Sequence, residues 1–132
     1  MPRKEISQNL ARLLAALADP TRLRLLNLMA GREVCVCYFV EILKLGQPKI
    51  SRHLAYLRRA GLVSARRDGK WMHYRIVRME DAAANAILDA VLASTARDSR
   101  MQKDMERLGA ACCQPQPLIA LRGAPKPAEV GQ

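Results

Sequence analysis

The stretch Gln47-Pro48-Lys49-Ile50-Ser51-Arg52-His53-Leu54-Ala55-Tyr56-Leu57-Arg58-Arg59 constrains the fold more than any other. Ile50, Leu54 and Leu57 stand at i, i+4 and i+7, the spacing of one helix face seeking a core. At about 100° per residue on a helical wheel, Arg52, Ala55 and Arg59 fall on the opposite side. Lys49 and Tyr56 flank one edge of that far side and Ser51 flanks the other. Such a helix rests on a small core and offers an anion positive charge and small polar groups. The rest of the chain must hold this helix out, or control when it is held out.

Charge is concentrated around the same stretch. The formal net charge is +10 over 132 residues. Between Gln47 and Arg78 the basic residues are Lys49, Arg52, Arg58, Arg59, Arg66, Arg67, Lys70, Arg75 and Arg78. These nine face one acid, Asp68, which places +8 of the +10 in this one segment. General solubility is served by scattered charge, whereas a cluster beside a two-faced helix points to nucleic acid. No apolar run approaches ~20 residues, so no membrane span is expected. The Leu-rich sequence after Met1-Pro2-Arg3-Lys4 is interrupted by Arg12 and Asp19, and it reads as a mature helix rather than an export signal. The expectation is a cytoplasmic chain whose four cysteines are reduced thiols.

Periodicity supplies the elements. Leu10, Leu13, Leu14 and Leu17 make one stripe of a first helix, from about Ile6 to Ala18. Asp19-Pro20 ends it and starts a second helix, running to about Ala30 and stopped by Gly31. Val36, Phe39, Val40 and Leu43 predict a third helix that begins with Cys35 and Cys37 and is broken by Gly46. Two short helices joined by a tight Gly-containing turn, the second one basic, form a helix-turn-helix signature. After Gly61 the period becomes two. Leu62 to Arg67, the turn Asp68-Gly69, and Lys70 to Val77 predict a β-hairpin with Arg66, Arg67 and Lys70 at its tip. One more helix is expected from Asp81 to about Leu108, with an apolar stripe of Ile87, Leu88, Val91 and Leu92. The first and last helices therefore invite a second copy of the chain, although folding of the last helix onto its own domain stays open. The fold class is mainly α with a β-hairpin wing, a dimeric winged helix-turn-helix over residues 1–110. Residues 111–132, Pro-rich and opening on a Cys pair, read as a flexible tail in which Leu118-Ile119-Ala120-Leu121 is an apolar patch.

The Val34-Cys35-Val36-Cys37 helix start, the Gln47-Pro48-Lys49-Ile50-Ser51-Arg52-His53-Leu54 helix and the Asp68-Gly69 wing together resemble the arsenic-repressor (ArsR/SmtB) family of bacterial metalloregulators. The resemblance spans roughly Leu10 to Leu92. It implies a homodimeric repressor that binds double-stranded operator DNA and leaves it when a metal or metalloid binds. It implies no permanent cofactor, with As(III) or Sb(III) as inducer. Trivalent arsenic takes three thiolates, and the resembling repressors often carry a third cysteine three residues after the second. Here that position is Val40. Cys112 or Cys113 is the candidate for the missing donor, so the expected metal residues are Cys35, Cys37, Cys112 and Cys113. On an ideal helix Cys35 and Cys37 point about 200° apart, so their convergence on one ion calls for an irregular or unwound helix start. Burial of one of them as a small hydrophobe stays open.

For DNA, Gln47, Ser51 and Arg52 are expected at base edges in the major groove, and Lys49, Tyr56, Arg67 and Lys70 at phosphates. Arg58 and Arg59 equally suit a solvated helix end. His53 belongs to the core edge, and His73 to structure or to a phosphate. Neither has a nucleophile or acid–base partner at suggestive spacing, so no enzyme is expected. A thiol–disulfide enzyme is disfavoured by Cys-x-Cys outside a βαβ setting. A module for protein contacts alone is disfavoured by the +8 cluster. Two relatives of the leading reading stay open, a repressor sensing oxidants or reactive sulfur and one answering Cd or Pb.

Overall fold

The computed structural model of the chain describes residues 3–113, 121 and 123–130, with side chains from residue 8 to 112 and from the later described positions. The helices are α1 (Arg3–Leu17), α2 (Pro20–Leu28), α3 (Val36–Leu43), α4 (Gln47–Arg59), α5 (Ala82–Thr95) and α6 (Ser99–Cys113). The strands are β1 (Arg32–Cys35), β2 (Val63–Asp68), β3 (Trp71–Ile76) and β4 (Ala128–Glu129), in the antiparallel order β2-β3-β1-β4.

Local chemistry explains the boundaries. Asp19, in extended backbone, accepts the Arg22 N–H at 3.0 Å and caps α2, with Pro20 in its first turn. Gly69 takes φ +61 in the hairpin turn, a conformation that costs glycine little. Three expectations are corrected. First, Cys35 does not begin the third helix but ends a strand, Arg32 to Cys35. Val34 and Cys35 pair with Tyr74 and His73 of β3, so the third helix starts only at Val36. The β-branched Val34, buried between layers, satisfies its backbone in the sheet. Second, the turn that stops α3 is made by Lys44 in left-handed backbone (φ 57), donating its N–H to Val40 O at 3.1 Å. Gly46 instead sits extended as the N-cap of α4. Third, the single long closing helix is two. The Asp98 carboxylate accepts the Met101 N–H at 3.1 Å and caps a new helix after a break at Ala96–Asp98.

The core gathers Leu25, Leu26, Leu28, Phe39, Ile42, Ile50, Leu54, Leu57, Leu62 and Leu88, each almost fully buried. The α1 stripe divides. Leu13, Ala16 and Leu17 are buried against this core, whereas Leu10 and Leu14 are 44% and 48% exposed. In α5 only Leu88 of the expected stripe is fully buried, and Ile87, Val91 and Leu92 are half-buried.

One interior contact has no sequence signature. Arg24 of α2 donates from Nε and Nη2 to the Asp104 carboxylate of α6 at 2.8 and 3.0 Å, and the Asp104 side chain is fully buried. Asn27 donates beside it to Met101 O at 3.0 Å. This bidentate pair fixes α6 on α2.

The segment expected as a flexible tail departs from that expectation over its later described positions. Leu121 is buried, Tyr38 Oη donates to Ala124 O at 3.5 Å, and Gly123 passes the Trp71 ring. β4 then pairs with the outer edge of β1, Arg32 with Glu129 and Glu33 with Ala128. Backbone pairing and one buried leucine order what composition alone leaves loose. The expected patch at Leu118, Ile119 and Ala120 lies outside the described residues.

Candidate functional site

α4 is built as its periodicity predicts. Ile50, Leu54 and Leu57 are fully buried, and Gln47, Lys49, Ser51, Arg52 and Tyr56 are exposed. Arg67 and Lys70, at the hairpin tip, are exposed as well. Among the described residues, Lys49, Arg52, Arg58, Arg59 and Arg67 have no ion-pair partner. Two members of the basic cluster are already neutralised. Arg66 binds Glu33 of β1 at 2.7 Å, and Arg78 binds Asp89 at 2.8 Å. The Arg66 hydrogen bond holds the Glu33 carboxyl below the usual carboxylate range. Of the three basic residues expected at the tip, therefore, Arg67 and Lys70 remain free to meet an anion, and Lys70 Nζ rests 4.9 Å from the Trp71 ring centre.

The underside of α4 holds contacts that sequence reading missed. Arg22 donates to Ala16 O at 2.8 Å and Ala15 O at 2.9 Å, the last carbonyls of α1, and its guanidinium lies 4.1 Å from the Tyr56 ring centre. It also stands 3.4 Å from His53 Nδ1. His53 sits at the core edge as expected, 3.9 Å from Asp19 Oδ1. Burial lowers its pKa despite the attraction of Asp19. A signal for Arg22 existed in Asp19-Pro20-Thr21-Arg22, where a capping residue precedes a cation by three positions.

The thiols converge one element earlier. Cys35 is the last residue of β1 and the N-cap of α3, and Cys37 lies in the first turn of α3. The Cys37 thiol donates to Cys35 Sγ at 3.3 Å. Ideal-helix geometry does not apply here, because Cys35 has strand backbone (φ −71, ψ 142). The sulfurs meet without unwinding the helix, because the irregular start that convergence calls for is the extended backbone of Cys35. Two thiolates bound at about 2.3 Å to one tetrahedral ion stand roughly 3.7 Å apart, close to the separation seen. The hydrogen bond from Cys37, with backbone N–H groups of Cys37, Met72 and Val36, lowers the Cys35 thiol to about 6 although burial opposes it. Cys37 is pushed up, because its proton is held by Cys35.

The other two cysteines fall at the end of α6 rather than beyond it. Cys112 is half-buried and disulfide-bonded, against the expectation of four reduced thiols, and the Cys113 side chain lies outside the described residues. Among the described residues no three His, Cys, Asp or Glu side chains stand together at metal-holding distance. His73 is 4% exposed and its Nε2 has no hydrogen-bond partner, so it is structural here and not a phosphate contact. No helix among the described residues is long and apolar enough to cross a membrane.

Comparison with known proteins adds to this geometry. The sequence profile described as "Bacterial regulatory protein, arsR family" matches residues 19–65. The arsenic resistance transcriptional regulator ArsR1 of Pseudomonas putida is 47% identical over 79 residues, covering 56% of this chain and 62% of the relative. The arsenical resistance operon repressor of Escherichia coli is 49% identical over 74 residues, covering 55% and 63%. The chain thus spans a little under two thirds of the length of these two relatives. Among solved structures, HlyU from Vibrio cholerae superposes with TM-score 0.60 at 29% identity, over 71% of this chain and 97% of that one. A possible transcriptional regulator for arsenical resistance is similar at TM-score 0.50 and 32% identity, over 77% and 97%. Both the helix-turn-helix and the β1–α3 thiol junction fall within the matched segment.

Proposed function

This chain belongs to the arsR family of bacterial regulatory proteins, a family of DNA-binding regulators, and from that premise we propose that it is a repressor released from its operator by trivalent arsenic or antimony. The observation that carries the proposal is the 3.3 Å contact between Cys35 and Cys37 sulfurs. Soft thiolates select soft ions, and the hydrogen bond from Cys37 favours the thiolate form of Cys35. Cys112 or Cys113, once reduced, supplies the third thiolate a trivalent metalloid takes.

Gln47, Ser51 and Arg52 read base edges, and Lys49, Tyr56, Arg67 and Lys70 grip phosphates. A second copy covers Leu10 and Leu14 of α1 together with α5, giving the homodimer that two half-sites require. The thiol junction lies one step from both DNA elements. Through α3 and the Lys44 turn it leads to α4, and through β1 it is hydrogen-bonded to β3 of the wing. An ion that binds the junction differently in two arrangements of these elements shifts the population between them.

The test is operator release followed by fluorescence anisotropy in a reducing buffer, with arsenite, antimonite, Cd(II) and Zn(II), on wild type, Cys35→Ser, Cys37→Ser and Cys112→Ser/Cys113→Ser. Release of wild type by arsenite, lost in either single variant, is expected. Release by no ion sinks the proposal. The lowered Cys35 thiol favours one second reading, an oxidant or reactive-sulfur sensor, and release by peroxide or polysulfide alone selects it.

A further inference from the structure

A hollow between α1 and the C-terminal end of α4 has no role in the scheme so far. It encloses about 450 Å³ and is lined by Arg12, Tyr56, Arg59 and Ala60. Arg12 and Arg59 are exposed and, among the described residues, have no ion-pair partner. No acid is among the lining residues. Two like charges facing one hollow repel, and an anion seated between them relieves the repulsion. Ala60, at the end of α4, has only a methyl group and leaves the space unfilled. Tyr56 is a fixed wall, because the Arg22 guanidinium that lies 4.1 Å from its ring centre is itself held by Ala15 O and Ala16 O. The hollow continues the outer face of α4, where Arg52, Tyr56 and Arg59 stand at i, i+4 and i+7. On α1, Arg12 stands about 180° around the helical wheel from the exposed Leu10 and Leu14. A second copy seated on those leucines therefore approaches α1 from the other side and leaves Arg12 open.

We propose that Arg12 of α1 and Arg59 of α4 together hold one backbone phosphate of the DNA, beyond the stretch of groove met by Gln47, Ser51 and Arg52. This rests on the reading of the outer face of α4 as the DNA-reading face. Guanidinium groups present their N–H donors as planar forks that match phosphate oxygens, and the Tyr56 hydroxyl adds a neutral donor at the same wall. The contact carries no sequence information and fixes the register of α4 along the duplex. It also gives α1 two tasks on two sides: Leu10 and Leu14 meet the second copy, and Arg12 meets the DNA.

The test uses the full chain and a duplex that the wild type itself selects from random-sequence DNA. Arg12→Gln and Arg59→Gln are each expected to weaken that duplex about three- to tenfold at physiological salt with every base preference unchanged. Because one phosphate is shared, the double variant is expected to lower the slope of log affinity against log salt by about 1. A fall of about 2 means two separate phosphates and overturns the shared site. Arg12→Lys, which keeps the charge, is expected to keep the wild-type slope. The duplex phosphates are then replaced one at a time by neutral methylphosphonate. One position in each half-site is expected to weaken the wild type and to leave both glutamine variants unchanged. Absence of such a position overturns the proposal. A shift of the monomer–dimer equilibrium in Arg12→Gln, read by sedimentation, also overturns it and moves Arg12 into the contact between copies. Binding of inorganic phosphate by the DNA-free wild type, lost in Arg12→Gln without any methylphosphonate difference, assigns the hollow to a free anion instead. If the wild type selects no duplex at all, the DNA-reading face of α4 fails and this site fails with it, a result distinct from the others.

Discussion

Arg52 on the outer face of α4 and Arg24 in the seam between α2 and α6 carry the same guanidinium under opposite conditions. Arg52 is exposed and, among the described residues, has no anionic partner. Arg24 is buried and binds Asp104 through two hydrogen bonds, with the Asp104 side chain fully covered. Removal of an exposed, unpaired charge leaves the fold intact and takes away whatever that charge attracts from solution. Removal of one partner of a buried pair strands the other in a low-dielectric interior. Surroundings rather than residue type decide whether an arginine serves affinity or stability.

The largest expected effect follows from the seam. Arg24→Ala should cost about 3–5 kcal/mol of unfolding free energy, read as a lower midpoint in urea. A loss under 1 kcal/mol would break the contrast. On the outer face, Arg52→Ala should leave the urea midpoint in place and weaken operator binding by about 1–3 kcal/mol with altered base preference. The thiol junction lies between these extremes, being an inward charge that titrates. Absorbance at 240 nm should rise by one thiolate, not two, with a midpoint near pH 6. Because Cys35 titrates lower in the folded chain than its ordinary value near 9, folded protein holds fewer protons between these limits. The stabilisation from this group therefore grows from about pH 6 to about 9 and is lost as pH falls through 6. The smallest effect belongs to the wing: Lys70→Ala should lower the slope of log affinity against log salt by about 1 on any DNA sequence. Equal slopes would remove the wing from the phosphate contacts.

The sequence made α4 legible because a single helix reports its own two faces. Ile50, Leu54 and Leu57 went inside and Arg52 stayed outside, as spacing requires. The hairpin was legible for a similar reason, since Asp68-Gly69 sets its own turn. What stayed hidden depends on partners distant in the chain. Arg32 to Cys35 becomes a strand only because β3 lies beside it, about 40 residues later. Arg24 is paired by a residue 80 positions away. The thiol pair was half legible. The motif marked Cys35 and Cys37, but the strand backbone that turns Cys35 toward Cys37 comes from the sheet. His73 was visible as a residue, and its burial opposite Cys35 was not.

The pairing of β4 with β1 has a consequence in time. Glu33 and Ala128 are register partners, yet the ribosome makes one long before the other. At about 5–20 residues per second, the outer edge of β1 waits roughly 5–20 s for its cover while the helices around it are already complete. An open strand edge is a template for pairing with other nascent chains, and charge is the usual guard against it. Arg32 and Glu33, the two β1 residues that later receive β4, are both charged. The charged side chains that precede Cys35 in β1 thus also keep newborn copies of the chain apart until the last strand arrives.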